Sequence, residues 1–509
     1  MTTEDQTAVV EFLGAPSTHG GLPVERIETH TAIVFLAGTR AWKLKRAVRY
    51  DYLDFSTAAR RKAMCEAEVH LNRRTAPALY RGVAPITRQA DGSLALGGPG
   101  LPVDWVIEMD RFDQEALFDR LAVNGRLGVE LMAPLATTIA RFHRAAEPRR
   151  DHGGKAGMDR VIDGIAAGFD EYGPGILDPS ACVRVTSGAH EETDKVGALL
   201  NDRRDAGSVR QCHGDLHLRN IVLIDGQPTL FDAIEFNDHL AGIDVLYDLA
   251  FLLMDLWRRR LPRHANVLWN DYLAETHDHA GIALMPLFLS CRAAVRAMTS
   301  ATASHVQSAG SRVEELRQAA SDYLTMAEQL LHPPRPALVA IGGFSGSGKS
   351  ALAMSLAPSM GAVPGGIVLR SDEIRKELHG VPRLQRLGPD GYTPEMSSRV
   401  YSSLAQRARL AICGGSCAIV DAVFARREDR EAIRRVAADA SVPFVGIWLD
   451  APEETLIDRI RSRHMDPSDA DEAVVRRQRT QDPGRIDWHR VEASAPVDIV
   501  LRTVKAFTP

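Results

Sequence analysis

The sequence predicts a protein of two folded parts, which belong to the α+β and α/β classes. The chain has 509 residues, whereas a single domain usually holds about 100 to 200. A proline-rich seam, "LHPPRP", interrupts a helical pattern and is followed by an apolar strand pattern. Before the seam, strand patterns give way to helical ones, whereas after it strand and helix patterns alternate. We therefore expect two unrelated domains.

The first part is predicted to cover residues 1–332 and the second residues 333–509. A small sheet-bearing lobe, about residues 1–108, precedes a larger helical lobe, about 109–332. The predicted elements of the small lobe are the strands "TAIVFL", "AWKLK" and "PVDWVIEMDRF" and the helix "STAARRKAMCEAEVHLNRR". The second part is long enough for one α/β domain with a parallel sheet.

The composition is typical of an ordinary soluble globular protein. Hydrophobic residues make up 45% of the chain, charged residues 25%, and the formal net charge is -5. This balance predicts no general nucleic-acid footprint, although it leaves a local basic patch open. The acidic start has no signal-peptide pattern, no run of about 18 uncharged apolar residues occurs, and the six scattered cysteines are typical of reduced thiols. We therefore expect a cytoplasmic protein without a membrane partner.

The most specific motif lies in the second part. In "ALVAIGGFSGSGKSALAMSLA" an apolar strand runs into Gly343-x-x-x-x-Gly348-Lys349-Ser350 and then into a helix, the context of a phosphate-binding loop. The glycines let backbone N–H groups converge on phosphate oxygens, Lys349 reaches the β- and γ-phosphates, and Ser350 holds Mg²⁺. The predicted ATP-binding residues of this loop are Gly343, Ser345, Gly346, Ser347, Gly348, Lys349 and Ser350.

Other polar residues of the second part follow strand patterns. We predict that Asp372, at the end of a second strand, takes the proton of an acceptor hydroxyl, and that Arg375, one helical turn later, steadies a phosphate. Asp421, at the end of a third strand, suits Mg²⁺ or substrate positioning. Arg459 and Arg463, four residues apart on a helix, predict either a mobile lid that contacts the ATP phosphates or a solvated basic face.

The stretches "GFSGSGKS", "SDEIRK" and "RSRHMDPSDA" resemble those of small phosphate-loop kinases. This group includes polynucleotide 5'-hydroxyl kinases, gluconate-type sugar kinases and zeta-toxin kinases, and the resemblance covers about residues 337–502. It implies that Asp372 acts on the acceptor hydroxyl and that Arg375 contacts the acceptor or its phosphate. It does not choose among the acceptors.

In the first part, the stretch "CHGDLHLRN" concentrates polar residues just before an apolar strand. Asp215 and Asn220 stand five residues apart, the spacing of a kinase catalytic loop, and Asp232 follows after the next strand pattern. The arrangement fits phosphoryl transfer in which Asp215 accepts the proton while Asn220 and Asp232 hold Mg²⁺. The alternatives are a zinc site formed by His213 and His217 with Asp215, or a merely structural hairpin.

"HGDLHLRNIVL" and "LFDAIEF" resemble aminoglycoside phosphotransferases and choline kinase-like enzymes, and the resemblance extends over about residues 25–298. It implies a bilobal protein-kinase-like fold in which a strand lysine binds ATP and a helix glutamate pairs with it. We favour Lys43 and Glu66 for these roles, with Lys45 and Glu68 as substitutes. The chain departs from kinases with a G-x-G-x-x-G loop, since no such loop precedes the lysine.

The order of the two parts resembles a bacterial group of fused proteins, an aminoglycoside phosphotransferase-like domain joined to a phosphate-loop kinase domain. It implies two ATP sites, and we predict a bifunctional kinase that uses Mg²⁺ and ATP, or another nucleoside triphosphate, to phosphorylate hydroxyls of small polar metabolites such as sugars. Arg292 and Arg296, four residues apart on a predicted helix, suggest an anionic substrate for the first domain or a salt-bridged face. A nucleic-acid 5'-hydroxyl kinase in the second domain and a nucleotide-sensing domain are the alternatives.

Overall fold

The computed structural model describes residues 4–50, 53–306, 310–462 and 466–508. Its contacts divide the chain into two compact units. The first unit contains residues 1–160 and 197–255, and the second contains residues 161–196 and 256–509.

The strands are numbered in chain order. Those of the first unit are β1 (Glu25–Glu28), β2 (Ala32–Ala37), β3 (Arg40–Lys45), β4 (Arg49–Tyr50), β5 (Leu53–Asp54), β6 (Tyr80–Arg88), β7 (Leu94–Leu96), β8 (Leu101–Asp110), β9 (Val209–Gln211), β10 (Ile221–Ile224), β11 (Gln227–Leu230) and β12 (Gly242–Asp244). Those of the second unit are β13 (Leu338–Gly342), β14 (Ile367–Arg370), β15 (Ala418–Asp421), β16 (Phe444–Asp450) and β17 (His489–Glu492).

The α-helices are numbered in the same way. Those before β13 are α1 (Thr7–Gly14), α2 (Ala58–Asn72), α3 (Phe118–Val123), α4 (Met132–Ala145), α5 (Gly154–Tyr172), α6 (Pro179–Asp205), α7 (Asp238–Ala241), α8 (Val245–Arg258), α9 (Pro262–Thr276), α10 (Met285–Val306) and α11 (Ser311–Leu330). Those after it are α12 (Lys349–Leu356), α13 (Ser371–Leu378), α14 (Pro394–Cys413), α15 (Arg427–Asp439), α16 (Glu453–Arg461), α17 (Glu472–Arg479) and α18 (Val497–Lys505).

The main sheet of the first unit is antiparallel, with the strand order β1-β2-β3-β8-β6-β7. Side chains alternate between the two faces of a strand, so Ala41, Lys43 and Lys45 of β3 share one face. The helix α2 packs on this face, because its Cys65 and Val69 join Ala41 in one buried cluster. The two lysines are therefore directed toward α2.

Two short antiparallel ladders hold the polar stretch of the first unit in place. β9 pairs with β12, and β10 pairs with β11 as a hairpin. The stretch 212–220 connects β9 to β10, so both of its ends are fixed by a ladder. The segment after β11 returns toward the same stretch, because the N–H of Ile234 donates to the carbonyl oxygen of His213 at 2.9 Å.

The second unit contains a five-stranded parallel sheet with the order β14-β15-β13-β16-β17. The central strand, β13, is buried at every residue, and the phosphate-loop sequence begins at its carboxyl end. The carboxyl ends of β14 and β15 lie at the same edge of the sheet, where open α/β sheets bind their ligands. The predicted parallel-sheet domain is confirmed, and so is the mixed α/β character of the chain.

The edge strand β14 of this sheet is covered by α9. The N–H of Val368 donates to Asn270 Oδ1 at 2.7 Å, and Asn266 Nδ2 donates to the carbonyl oxygen of Gly366 at 3.1 Å. These side chains satisfy backbone groups that an edge strand otherwise leaves unpaired. The helix α9 is thus part of the same packed unit as the phosphate-loop sheet.

Candidate active sites

Four charged side chains form a network around Glu68 in the first unit. Lys43 Nζ donates to Glu68 Oε1 at 2.8 Å and also contacts the carboxylate of Asp232. Lys45 Nζ donates to Glu68 Oε2 at 2.6 Å and to Glu235 Oε1 at 2.5 Å. Glu68 therefore holds both lysines, and of the two only Lys43 reaches the predicted metal-binding aspartate.

The structure corrects the predicted pairing of Lys43 with Glu66. Glu66 is exposed and lies 3.7 Å from Lys62 of the same helix, whereas the side chain of Glu68 is fully buried. Helix residues that stand two positions apart in the sequence, such as Glu66 and Glu68, are separated by about 200° around the helix axis. The two glutamates therefore face in nearly opposite directions. Burial raises the pKa of Glu68, but the ammonium groups of Lys43 and Lys45 lower it to about 2.

The structure brings Asp215 and Asn220 together. Asn220 Nδ2 donates to Asp215 Oδ2 at 3.0 Å and to the Asp215 carbonyl oxygen at 2.9 Å. His217 Nε2 lies 3.3 Å from the same carboxylate oxygen. Because the amide nitrogen of Asn220 is used in these bonds, the amide oxygen is the atom of this side chain that suits a hard cation such as Mg²⁺.

A buried aspartate holds the backbone of this loop. Asp248 Oδ1 accepts from the N–H of Gly214 at 2.9 Å, and its Oδ2 accepts from the N–H of His213 at 3.1 Å. His143 Nε2 lies 3.1 Å from Asp248 Oδ2. Asp248 thus holds the backbone of the two residues that directly precede Asp215. Among the described residues, His143, Cys212 and Asp248 form a buried group with metal-ligand spacing, which includes neither His213 nor His217.

Asp232 has a left-handed backbone conformation, with φ of 64°. Such a conformation costs a non-glycine residue about 1 to 3 kcal/mol and persists where its surroundings enforce it. Its N–H donates to Tyr80 Oη at 3.2 Å, and the next N–H, of Ala233, donates to Asn72 Oδ1 at 2.8 Å. The buried His213 ring connects the segments that carry the two acidic residues: its Nε2 lies 2.9 Å from the carbonyl oxygen of Phe231, and its Nδ1 accepts from the N–H of Asp215 at 3.3 Å.

The loop glycines of the second unit are required by close backbone approaches. A Cβ atom on Gly343 would lie 2.5 Å from the carbonyl oxygen of Leu449, and one on Gly346 would lie 2.5 Å from that of Leu456. Gly346 and Gly348 also have φ angles of 88° and 90°, which favour glycine. The loop ends as α12 begins at Lys349, so the loop N–H groups lie at a helix N-terminus.

A cavity of about 1160 Å³ opens over this loop. Its walls include Ser345, Gly346, Ser347, Gly348, Lys349, Ser350, Asp372, Arg375, Asp421 and Arg459. Ser347 Oγ is buried and has no hydrogen-bond partner among the described residues. An unpaired buried hydroxyl inside a loop of converging N–H groups fits a phosphate oxygen.

The hydroxyl and carboxylate predicted to hold Mg²⁺ are in contact. Ser350 Oγ donates to Asp421 Oδ2 at 2.5 Å. Arg370 Nη2 donates to Ser350 Oγ at 3.0 Å, and Arg370 Nε lies 3.5 Å from Asp421 Oδ2. Burial lowers the pKa of Arg370, but Glu373 and Asp421 raise it above its ordinary value, so the guanidinium stays charged. The oxygen donors of this group suit Mg²⁺.

The acceptor side of the cavity is formed by α13. Its second residue, Asp372, is partly exposed and lines the cavity; the strand before it ends at Arg370, slightly earlier than the sequence predicts. Arg375 is buried, donates to the Gly391 carbonyl oxygen at 2.8 Å and stacks 4.8 Å from the Tyr392 ring centre. Its Nε has no hydrogen-bond partner among the described residues.

Comparison with known proteins places the chain in a family. Uncharacterized proteins of Mycobacterium tuberculosis and Mycobacterium bovis are 30% identical to it over 482 residues, 92% of this chain and 92% of theirs. The chain belongs to the family of these mycobacterial proteins. The family model of an AAA domain matches residues 338–481 of this member. The chain is also 32% identical over 118 residues to an adenylyl-sulfate kinase of Myxococcus xanthus, 23% of this chain and 59% of that protein.

The chain is also similar to solved kinase structures. A gluconokinase from Sinorhizobium meliloti is 21% identical, with 33% of this chain and 89% of that chain covered and a TM-score of 0.24. A choline/ethanolamine kinase family protein from Mesorhizobium loti is 14% identical, with 64% and 93% covered and a TM-score of 0.38.

The remaining predicted arginines are placed as follows. Arg459 lines the cavity and donates to the carbonyl oxygens of Ser494 and Ala495 at 3.2 and 3.3 Å, while Arg463 lies outside the described residues. Arg292 is buried, and Arg296 lies 5.7 Å from the Tyr323 ring centre. The substrate role predicted for Arg292 and Arg296 stays a prediction.

Both arginines lie in the helical segment His279–His305, which is long and apolar enough to cross a membrane. However, 72% of its most apolar stretch of 18 residues is buried inside the protein, as in the core helix of a soluble protein.

Several residues of the two sites were not predicted from the sequence. Arg370 is one of them, although it directly precedes Ser371-Asp372 in "LRSD" and could have been suspected from that position. Glu235, three residues after Asp232 in the quoted "LFDAIEF", is another. Lys376 and Asp469, which bind each other at 2.6 Å beside Arg375, carry no signal of their pairing in the sequence.

Proposed function

We propose that the protein is a bifunctional, cytoplasmic ATP-dependent phosphotransferase. Each unit transfers the γ-phosphate of ATP, or of another nucleoside triphosphate, to a hydroxyl of a small polar metabolite such as a sugar or sugar derivative. One observation carries this proposal: a single cavity holds the phosphate loop, the contacting pair Ser350 and Asp421, and the acidic side chain of Asp372. Phosphoryl transfer needs these three parts together.

In the second unit, the loop N–H groups and Lys349 bind the triphosphate. Ser350 and Asp421 would hold Mg²⁺, directly or through water, and the bound ion neutralises phosphate charge. Asp372 accepts the proton of the acceptor hydroxyl. The hydroxyl oxygen bonds to the γ-phosphorus while the bond between the γ-phosphorus and the β–γ bridging oxygen breaks. Arg375 orients the acceptor or its new phosphate.

In the first unit, Asp215 has the same role toward a second acceptor. Asn220 and Asp232 would hold Mg²⁺, and Lys43, oriented by Glu68, binds the ATP phosphates. The hydrogen bond from Asn220 to Asp215 supports this assignment, because it fixes the carboxylate in place beside the predicted ligand.

A metabolite screen for ATP consumption tests the proposal. The full chain is compared with Asp215→Ala, Asp372→Ala and the double variant, and with the control variants Asp91→Ala and Asp439→Ala, which change exposed carboxylates. Each single variant should lose turnover with one set of acceptors and retain it with another, and the double variant should lose both. Unchanged turnover in either single variant, with every compound that the full chain phosphorylates, would refute a catalytic role for that aspartate.

A further inference from the structure

The segment 466–479 crosses the wall of the phosphate cavity and is anchored at both ends. Asp469, near its start, binds residues on the acceptor side of the cavity. Gln478, near its end, binds the phosphate loop. The Mg²⁺-binding and proton-accepting residues proposed above do not include either of these side chains.

At the acceptor end, Asp469 is bound by several donors. Lys376 Nζ lies 2.6 Å from each of its carboxylate oxygens, and Tyr392 Oη donates to Oδ2 at 2.7 Å. The N–H of Leu387 also donates to Oδ2, at 3.0 Å. Burial raises the pKa of Asp469, but the hydrogen bonds from Lys376 and Tyr392 lower it below its ordinary value, so the carboxylate stays charged.

These donors are the neighbours of Arg375. Lys376 follows Arg375 in α13 and is 1% exposed, and the Tyr392 ring stacks on the Arg375 guanidinium. A charge-assisted bond to a buried ammonium is among the stronger hydrogen bonds in proteins. Asp469 therefore fixes two neighbours of Arg375, the next residue in α13 and the ring that stacks on its guanidinium.

At the other end, α17 contacts consecutive residues of the phosphate loop. Gln478 Oε1 accepts from the N–H of Ser345 at 2.8 Å. The Arg479 guanidinium lies 6.0 Å from the Phe344 ring centre. Arg477, the residue before Gln478, lines the phosphate cavity. The bond that Gln478 accepts thus ties α17 to the phosphate loop, and Arg477 of the same helix adds a positive charge to the cavity wall.

We propose that Asp469 and Gln478 are positioning residues for phosphoryl transfer in the second unit. The inference rests on the function proposed for that unit. Asp469 acts through Lys376 and Tyr392 on Arg375, and Gln478 acts through the Ser345 N–H on the phosphate loop. Because the one short segment 466–479 carries both side chains, it fixes the position of Arg375 relative to the phosphate loop.

Amide hydrogen exchange of the full chain tests this link. Gln478→Ala should speed exchange in the peptide 344–350 by about fivefold, the effect of losing one hydrogen bond. Asp469→Asn should speed exchange at 385–392, because the N–H of Leu387 loses its hydrogen bond to the Asp469 carboxylate. It should also speed exchange at 344–350, although the Asp469 side chain is hydrogen-bonded at the other end of the segment. Gln481→Ala, which changes an exposed glutamine just beyond α17, is the matched control and should leave 344–350 unchanged. No change at 344–350 in Asp469→Asn would overturn the link between the two ends.

Nucleotide binding separates positioning from mere support of the fold. In a chain whose first site carries Asp232→Ala, Gln478→Ala should weaken binding of the Mg²⁺ complex of the ATP analogue AMPPNP by about fivefold. Gln478→Glu retains an acceptor for the Ser345 N–H, so it should restore slow exchange at 344–350. Its added negative charge beside the phosphates should nevertheless weaken binding. Equal affinity in wild type, Gln478→Ala and Gln478→Glu would overturn the role of Gln478.

Lys349→Ala distinguishes failure of this inference from failure of the proposed function. In the same Asp232→Ala background it should abolish AMPPNP binding. If Lys349→Ala binds the analogue as wild type does, the proposed function of the second unit fails. If Lys349→Ala loses binding while Gln478→Ala and Asp469→Asn match wild type in exchange and affinity, only the positioning inference fails.

Discussion

Lys45 and Glu235 form a buried ion pair in the first unit, with 2.5 Å between Nζ and Oε1 and side chains only 3% and 5% exposed. Lys45 also binds Glu68, and Glu235 lies three residues after Asp232. The pair therefore joins β3 to the segment that carries the predicted metal ligand. Removing one partner of such a pair leaves a buried charge without compensation, which is costly even where the intact pair adds little stability.

Replacing Lys45 by methionine should therefore destabilise the first unit strongly. We expect Lys45→Met to lower the free energy of unfolding by about 3 kcal/mol, because Glu235 loses its ammonium partner. Lys62→Met is the matched control, since Lys62 pairs with Glu66 at the surface, where an ion pair contributes about 0 to 1 kcal/mol. Urea unfolding followed by circular dichroism measures both variants. Equal losses in the two would contradict the importance of the buried pair.

The two glutamates of α2 should differ in their effect on nucleotide binding. In a chain whose second site carries Lys349→Ala, Glu68→Gln should weaken binding of Mg²⁺–AMPPNP by about tenfold or more, because Lys43 loses a charged partner. Glu66→Gln should leave the affinity within about twofold, since Glu66 faces solvent. Isothermal titration calorimetry on the three chains provides the comparison. A larger effect of Glu66→Gln would return the pairing role to Glu66.

The phosphate loop was predictable because all of its determinants are local. Strand, glycines, Lys349 and Ser350 follow one another within a few residues. The apolar periodicity of α2 also distinguishes its two glutamates. The apolar residues Cys65 and Val69 stand four apart and predict one buried face of the helix, which the structure shows to be buried. Glu68 lies on that face, and Glu66 does not.

Other contacts could not be predicted from local sequence. Arg370 reaches Asp421 and Asp466, which lie 51 and 96 positions later in the chain (421 − 370 and 466 − 370). Asp469 reaches Lys376 across 93 positions. Such pairs depend on how the sheet and its helices pack, and helical or strand periodicity contains no information about partners at this distance. Only the charged residue types were visible in advance.

The stability of the first unit should fall in mild acid. Burial lowers the pKa of His213 below its ordinary value of 6.5, although the carboxylates of Asp248 and Asp215 act in the opposite direction. The unfolded chain therefore takes up a proton before the folded chain does. The stabilisation from the neutral imidazole is fully present above about pH 6.5 and is lost as the pH falls below it, by at most about 1.4 kcal/mol per pH unit.

Urea midpoints measured between pH 8 and pH 5 test the role of His213. His213→Gln removes this titration, so its midpoint should fall less steeply below pH 6.5 than that of wild type. His239→Gln changes an exposed histidine of the same unit and should follow the wild-type profile. Parallel profiles for wild type and His213→Gln would show that another group causes the acid sensitivity.

Gly346 should tolerate no side chain if the phosphate loop binds nucleotide in the observed conformation. A Cβ atom there would lie 2.5 Å from the backbone oxygen of Leu456 at a φ angle of 88°, so the loop has to shift. We expect Gly346→Ala to fold, by circular dichroism, but to weaken Mg²⁺–AMPPNP binding at the second site by about tenfold or more, since strain of this kind costs about 1 to 3 kcal/mol.

Gly380→Ala separates the effect of the close approach from that of backbone strain alone. Gly380 also has a positive φ angle, 66°, but a Cβ atom there meets nothing within 4 Å. This variant should lose about 1 kcal/mol of stability and retain the nucleotide affinity of wild type. If Gly346→Ala binds AMPPNP as tightly as Gly380→Ala does, the loop does not need its contact with the backbone of α16 in order to hold phosphate.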